Sequence, residues 1–221
     1  MKLLVGLGNP GSQYEKTRHN AGFFVIDRLS KRWGTGELPK GRFSGICQEV
    51  AIKGTRCLLL KPTTYMNLSG KAVAEAVNFY KLDPAQDLLV LVDDVALPTG
   101  SIRVRASGSA GGHNGLTDIQ RALGSENYPR LRIGIDARPA QMKLEDYVLG
   151  RFTAEQSALL EPAINKAADA SEVFVTDGLT KAMNTYNAAP PPPPPSPAPP
   201  KPPTSDPQSK TGNPKSTPPN P

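Results

Sequence analysis

Residues 87–93 read DLLVLVD, five consecutive apolar side chains between two aspartates. An apolar run without alternation is typical of a strand covered on both faces, because an exposed face would require polar side chains at every second position. We therefore predict a buried central strand here. Asp93 lies at its carboxyl end, where sheets of the α/β class present their ligands.

Strand-like and helix-like segments alternate on both sides of this run. Short runs rich in leucine and β-branched residues predict further strands at 2–7, 46–52, 57–61, 102–106 and 131–135. Helical spacing appears at 21–33, 70–80 and 115–123, and a long alanine-rich stretch runs from 153 toward 187. The alternation indicates an α/β fold, a mixed β-sheet flanked by helices.

The last 34 residues differ in composition from the rest. Residues 188–221 hold 16 of the 24 prolines and no aromatic side chain, so they cannot form a core. We predict one folded domain at 1–187 and a disordered proline-rich tail at 188–221. Without the three lysines and one aspartate of the tail, the domain carries 23 basic and 19 acidic residues, or +4 of the total +6. This excess permits a polyanionic partner without requiring one.

Several classes of protein are disfavoured by composition. Cys47 and Cys57 lie in predicted strands, and the chain has two histidines and no CxxC, so we expect buried thiols and no metal site. The four-residue apolar stretch in MKLLVGLGNPG is too short for a signal peptide, and no run approaches the roughly 18 residues of a membrane span. We expect a cytoplasmic protein without membrane contact.

Residues 6–11, GLGNPG, match the GxGxxG pattern of dinucleotide-binding turns directly after a strand. That motif needs a helix to begin at its third glycine and an acidic residue to end the second strand. Here Pro10 and the residues after it delay the helix until about Asn20, and Asp27 falls inside the helix. We favour a tight turn that directs the Asn9 amide into a pocket, with a plain turn as the alternative.

Both histidines are followed by asparagine. His19 falls at a loop-to-helix junction with Asn20 as the expected N-cap, and the helix terminus would disfavour imidazolium and keep the ring able to accept a proton. Asp93 is the candidate that orients the ring. Structural roles remain the alternative, because a histidine can simply pack and an aspartate after a strand can simply form a turn.

Three asparagines, Asn9, Asn67 and Asn114, lie beside glycine or in loops that follow strands. An asparagine amide donates and accepts in one plane, which suits a peptide group and a developing oxyanion, although a turn role would also explain each of them. Without a GxSxG motif, and with neither cysteine beside a histidine, no covalent nucleophile is evident. Water activated by His19 is the simpler mechanism.

Five blocks of the sequence resemble, in order and spacing, those of bacterial-type peptidyl-tRNA hydrolases: VGLGNPGSQYEKTRHNAGFFVID, KPTTYMNLSG, LVDDVALPTG, SAGGHNGL and YPRLRIGI. The resemblance implies His19 as catalytic histidine and Asp93 as its orienting aspartate. It implies substrate-binding roles for Asn9, Tyr14, Met66, Asn67, His113 and Asn114. It further implies a monomer with a twisted mixed sheet, no metal or cofactor, and hydrolysis of the ester between a peptide or N-blocked aminoacyl group and the terminal ribose of tRNA.

Arginines on the predicted strands are the candidates for contact with tRNA phosphates. Arg103 and Arg105 alternate with apolar residues and therefore project from one face, Arg132 lies on a further strand, and Arg130 is a weaker candidate. The alternative explanation is that the strand lies at the edge of the sheet and that its positive charges prevent it from pairing with another chain.

Three positions depart from the family pattern. Thr117 stands where the family usually has Lys or Arg, Ala96 where an acidic residue is common, and Asp136–Pro139 where a glycine-containing turn is usual. We expect changes in tRNA contact and in that loop, while the chemistry of His19 and Asp93 stays intact.

Two other functions compete with hydrolysis. An RNA-binding relative could keep the surface and lose catalysis, but RNA binding alone gives no reason to keep His19 together with Asp93. A scaffold role is suggested only by the tail, whose polyproline segments could dock on an aromatic groove or serve as spacers, with no partner indicated.

Overall fold

In a computed structural model, which describes residues 1–36 and 38–187, seven strands form one mixed sheet in the order β2-β3-β4-β1-β5-β7-β6. They are β1 (Lys2–Gly6), β2 (Lys40–Arg42), β3 (Gly45–Ile52), β4 (Thr55–Pro62), β5 (Leu88–Asp94), β6 (Ile102–Arg105) and β7 (Arg130–Gly134). The parallel pairs are β4-β1, β1-β5 and β5-β7. The predicted disordered tail at 188–221 lies outside the described residues, and the division of the chain at residue 187 remains a prediction.

Helices cover both faces of the sheet. They are α1 (Ala21–Trp33), α2 (Ser69–Tyr80), α3 (Pro84–Asp87), α4 (Asn114–Leu123), α5 (Leu144–Val148), α6 (Ala154–Asp177) and α7 (Leu179–Tyr186). One apolar cluster joins α1, α6 and α7 to one face, and a second joins α2 and α4 to the other. In the described part of the chain, no helix combines the length and apolarity that a membrane crossing requires.

The central strand lies where its sequence predicts. All five apolar side chains of β5 are buried, with β1 on one side and β7 on the other, so both faces and both edges are covered. The predicted α/β class and mixed sheet are confirmed. The long alanine-rich stretch is two helices rather than one, since Gly178 has φ 87° and ends α6. β2 was not predicted, because its three exposed residues carry no apolar pattern.

The two cysteines are buried free thiols, as predicted. Cys47 and Cys57 lie on β3 and β4, respectively. Burial raises the pKa of each thiol to about 11. Both side chains therefore stay protonated at neutral pH and act as small apolar groups.

Two glycines bring α1 into close contact with β1 and β5. A Cβ on Gly6 would lie 2.3 Å from the carbonyl oxygen of Gly22, and a Cβ on Gly22 would lie 2.3 Å from that of Leu91. The first glycine of the GxGxxG match therefore serves helix packing. α1 begins only at Ala21, well after Gly11, so the helix N-terminus that a dinucleotide needs is not at the third glycine.

We predict that Gly22→Ala lowers the free energy of unfolding by about 1–3 kcal/mol, because the added methyl group meets backbone atoms that cannot move aside. Helix propensity alone predicts a gain of about 1 kcal/mol. Urea unfolding is the measurement, with Gly41→Ala as control, since a Cβ at Gly41 meets nothing within 4 Å. A more stable Gly22→Ala variant would contradict this packing.

Candidate functional site

A cleft of about 520 Å³ lies at the carboxyl ends of β1, β4 and β5. It brings together all eight residues predicted as catalytic or substrate-binding: Asn9, Tyr14, His19, Met66, Asn67, Asp93, His113 and Asn114. Asp93 lies on β5 itself, and the other seven lie in the segments that follow β1, β4 and β6, so the sheet is the common support. Their roles stay predictions, but their proximity is a property of the fold.

His19 and Asp93 form a buried pair on one side of the cleft. His19 lies in a 3₁₀ turn, Arg18–Asn20, directly before α1. Its Nδ1 is 2.9 Å from Oδ1 and 3.1 Å from Oδ2 of Asp93. Since an ionised carboxylate only accepts hydrogen bonds, Nδ1 carries a hydrogen, and in the neutral form of the ring Nε2 is left with a lone pair. The ring is thus oriented as a base.

Electrostatics at the pair favour charge on both groups. Burial lowers the pKa of His19, but the charge of Asp93 and its hydrogen bond raise it by more, so the pKa lies above its ordinary value. Burial raises the pKa of Asp93, but the two histidines hold it well below its usual range. The carboxylate of Asp93 therefore opposes the effect expected of the helix terminus, and the neutral resting state of His19 stays a prediction.

His113 is a second partner of the same carboxylate, which the sequence analysis missed. Its Nε2 lies 3.1 Å from Oδ1 of Asp93, while its Nδ1 accepts hydrogen bonds from the backbone N–H groups of Gly115, at 3.1 Å, and Leu116, at 3.4 Å. These amides belong to the first turn of α4. They fix His113 as the Nε2–H tautomer. The side chain of His113 thus caps the N-terminus of α4. Its position just before a predicted helix was the signal for this role.

His19, Asp93 and His113 also offer three ligand atoms within 4.8 Å of one another, a spacing compatible with a metal ion. A metal on Nε2 of neutral His113 would require hydrogen on Nδ1. That hydrogen would point at the Gly115 N–H, which already donates to Nδ1. The donor set therefore fits two histidines bound to one carboxylate better than it fits a metal.

Asn9 is held by hydrogen bonds that determine which part of its amide can reach a substrate. The backbone N–H of Met66 donates to Oδ1 of Asn9 at 2.8 Å, which leaves Nδ2 as the free end. Asn20 bonds both the backbone N–H and the carbonyl of Asn9, at 2.8 and 3.0 Å. The prediction of Asn20 as a side-chain N-cap was wrong, because its amide is used for this loop contact instead.

Asn67 and Asn114 occupy the exposed rim of the cleft. Neither side chain makes a hydrogen bond within residues 1–36 and 38–187, so each amide keeps its donors and its acceptor. Met66 is 4% exposed and lines the same cleft. The hydroxyl of Ser69, the first residue of α2, donates to the Met66 carbonyl at 2.8 Å.

The predicted phosphate-binding arginines differ in their surroundings. Arg103 and Arg105 are exposed on the edge strand β6 and lie two residues apart, so both project from the same face of the sheet. Arg103 is paired in register with Arg132 of β7. Arg132 lines the cleft and donates to Asp94 at 2.9 Å and to the Ser109 carbonyl at 3.1 Å.

Arg130, the weaker candidate, does not fit contact with RNA. Its side chain is fully buried and stacks on Tyr128, with 4.3 Å from the guanidinium carbon to the ring centre. It donates to the backbone carbonyls of Gly108, Ser109, Glu126 and Tyr128. Its role is to hold the glycine-rich loop before α4.

The three departures from the family pattern are accommodated locally. Thr117 bonds the carbonyl of His113 at 3.2 Å, and the Ala96 N–H bonds Asp94 at 2.8 Å. Asp136 adopts φ 66°, in the left-handed region that favours glycine. Its carboxylate accepts hydrogen bonds from the backbone and hydroxyl of Thr99, at 2.7 and 2.8 Å, which offset the strain.

Comparison with known proteins places the chain in one family. Residues 3–193 match the family model described as peptidyl-tRNA hydrolase. Peptidyl-tRNA hydrolases of Rhodopirellula baltica and Carboxydothermus hydrogenoformans are 51% and 52% identical to it, over 86% and 85% of this chain and 98% of each relative. A crystal structure of the Acinetobacter baumannii peptidyl-tRNA hydrolase superposes with a TM-score of 0.79 at 38% identity, over 85% of this chain and 95% of that one. The chain therefore belongs to the peptidyl-tRNA hydrolase family.

Proposed function

We propose that this protein hydrolyses the ester bond between a peptide, or an N-blocked aminoacyl group, and the terminal ribose of tRNA. The observation that carries the proposal is the His19–Asp93 hydrogen bond in the cleft, which leaves Nε2 of His19 unbonded within the described residues. The reaction returns tRNA from prematurely released peptidyl-tRNA to translation.

In the first step, Nε2 of His19 takes a proton from water, and the hydroxide attacks the carbonyl carbon of the ester. Asp93 holds the other ring N–H and stabilises the imidazolium that forms. The tetrahedral intermediate then expels the ribose oxygen, which receives the proton from His19. The products are a free carboxylic acid and tRNA, and His19 is neutral again.

The asparagines supply hydrogen bonds to the acyl group. Asn9 offers Nδ2 as a donor only, because its oxygen is already bonded to Met66. Asn67 and Asn114 can donate and accept at the rim. We assign the carbonyl of the substrate's peptide bond to Asn9, and the oxyanion and the peptide N–H to the two rim residues. Tyr14, Met66 and His113 complete the walls of this binding site.

The tRNA is held mainly through its phosphates, since a hydrolase that serves all tRNAs cannot read bases. Arg103 and Arg105 are available at the surface, and Arg132 joins this surface to the cleft. We further propose that the protein acts as a monomer in the cytoplasm without a metal or other cofactor. Residues 1–187 would form the catalytic domain, and 188–221 a tail of unassigned partner.

An RNA-binding relative without hydrolysis is the second candidate. It is disfavoured by the environment of Asp93, which is 5% exposed and has two histidines bonded to it. Burying a carboxylate is costly unless it is well paired, and contact with RNA phosphates gives no reason for that cost.

His19→Ala should reduce kcat by about 10²- to 10⁴-fold, the typical effect of losing a general base, while tRNA binding stays nearly unchanged. In the wild type, kcat/KM should fall as pH drops through the pKa of His19, which Asp93 raises above its ordinary value. Asp93→Asn should slow the reaction and shift this fall to lower pH, because the neutral amide no longer stabilises imidazolium. Wild-type turnover by His19→Ala would rule out the base.

N-blocked aminoacyl-tRNA should be cleaved much faster than the same tRNA with a free α-amino group. The amides of Asn9, Asn67 and Asn114 can pair with a peptide group but offer no carboxylate to an ammonium ion taken out of water. Discrimination of this kind can reach about 10⁴-fold. The measurement is the ratio of kcat/KM for acetylated and unacetylated substrates at a pH where the amine is protonated, and a ratio near one would refute this view of the pocket.

Arg103→Ala combined with Arg105→Ala should weaken tRNA binding and reduce the log-log slope of affinity against salt by about 1 per lost contact. Cleavage of a minimal ester without the RNA body should change little. The control is Lys31→Ala with Lys166→Ala, which removes the same charge from exposed positions on α1 and α6, across the sheet. Equal slopes for both double variants would mean that Arg103 and Arg105 only prevent the edge strand from pairing with another chain.

A further inference from the structure

Arg18, the residue directly before His19, is a buried charge that the proposed mechanism does not use. Its residue surface is 8% exposed. The guanidinium carbon lies 4.3 Å from the ring centre of Tyr147 and 5.6 Å from that of Phe152. A cation in such a place is stable only with specific partners, so its position is narrowly defined.

The chain around Arg18 is fastened to the segment that carries α5 by both backbone and side chain. The backbone N–H of Arg18 donates to the Gly150 carbonyl at 3.0 Å. The backbone of Thr17 pairs with that of Arg151 in a short antiparallel contact outside the sheet. One guanidinium nitrogen donates to the Tyr147 carbonyl at 3.2 Å. Tyr147 belongs to α5, and Leu144 and Val148 of that helix line the cleft.

The second terminal nitrogen of the guanidinium, Nη2, begins a chain of hydrogen bonds that ends at a third loop. It donates to Oε1 of Gln156 at 2.8 Å, and Nε2 of Gln156 donates to Asp136 at 2.8 Å. Burial raises the pKa of Asp136, but hydrogen bonds from Thr99 and Gln156 and the charge of Arg18 lower it by more. Asp136 is thus an ionised carboxylate that complements Arg18 across the glutamine.

We propose that Arg18 is a positioning residue for the reaction. Through Tyr147, Gln156 and Asp136 it holds the 3₁₀ turn at the depth where Nδ1 of His19 meets Asp93, and it ties that turn to the α5 wall of the cleft. The catalytic part of this inference rests on the proposed role of His19 as the base. A misplacement of about 1 Å can cost as much as 10²-fold in rate, so such a link has measurable consequences.

Histidine ring spectra report the position of His19 without requiring activity. The chain has two histidines, so ¹⁵N-labelled full-length protein gives two sets of ring signals. We expect the Nδ1–H tautomer for His19 and the Nε2–H tautomer for His113 at a pH where both rings are neutral, because of their different hydrogen bonds. His19→Ala identifies each set by deletion of one.

In Arg18→Lys the charge remains, but the planar group that stacks on Tyr147 and bonds two acceptors is lost. We expect kcat for N-acetyl-aminoacyl-tRNA to fall about 10- to 100-fold, with KM changed far less. The His19 ring signals should broaden or become those of mixed tautomers, while the His113 signals stay. Combined with Asp93→Asn, the loss should be less than additive, because both changes act on one contact.

Arg32→Lys is the matched control. Arg32 also joins two segments, since it bonds Asp169 at 2.6 Å and Glu172 at 2.9 Å on α6, but it lies away from the cleft. The Arg32→Lys variant should have a lower melting temperature than the wild type, with kcat and both histidine spectra unchanged. If Arg18→Lys behaves in the same way, Arg18 only stabilises the fold and the inference is wrong.

A second variant keeps the test decisive if Arg18→Lys does not fold. Gln156→Leu is similar in size, keeps Arg18, and cuts the hydrogen bonds toward both Arg18 and Asp136. We expect the same direction of change in kcat and in the His19 ring signals, and wild-type values for both would overturn the proposal. Activity in His19→Ala would refute the base, whereas an undisturbed ring in these variants would refute the positioning role.

Discussion

The carboxylate of Asp93 is the group on which the arrangement of the site depends. It is buried at the end of the central strand and accepts hydrogen bonds from Nδ1 of His19 and Nε2 of His113. A buried carboxylate is tolerated only when hydrogen-bond donors satisfy it, so both rings must reach it from two segments that are far apart in sequence. This requirement fixes the loop before α1 and the N-terminus of α4 relative to β5.

The two histidines differ because their second nitrogens differ. Amides of the first turn of α4 hold Nδ1 of His113, so that ring has no free nitrogen within the described residues and acts as a donor to Asp93. Nε2 of His19 has no such partner there. One carboxylate therefore gives two rings opposite tautomers, and only His19 keeps a lone pair for a proton.

Much of the fold could be predicted because its signals are local. The apolar run of β5 and the spacing of α1 each follow from which face is buried, and both were placed within a residue or two. The errors concern groups with several competing partners. Asn20 has the side chain of an N-cap but bonds the backbone of Asn9, and Arg130 has the charge for phosphate but binds four carbonyls inside the fold.

The sequence by itself determined the fold class, the buried thiols and the set of polar residues available for chemistry, because apolar periodicity and residue type are properties of short segments. Tertiary structure decided which nitrogen of each histidine is bonded, which end of the Asn9 amide is free, and that Arg18 reaches Asp136 through Gln156. Those outcomes depend on distances between loops far apart in the chain. Hydrogen bonds are directional and short, so only the packed sheet and helices can choose among partners that the sequence offers equally.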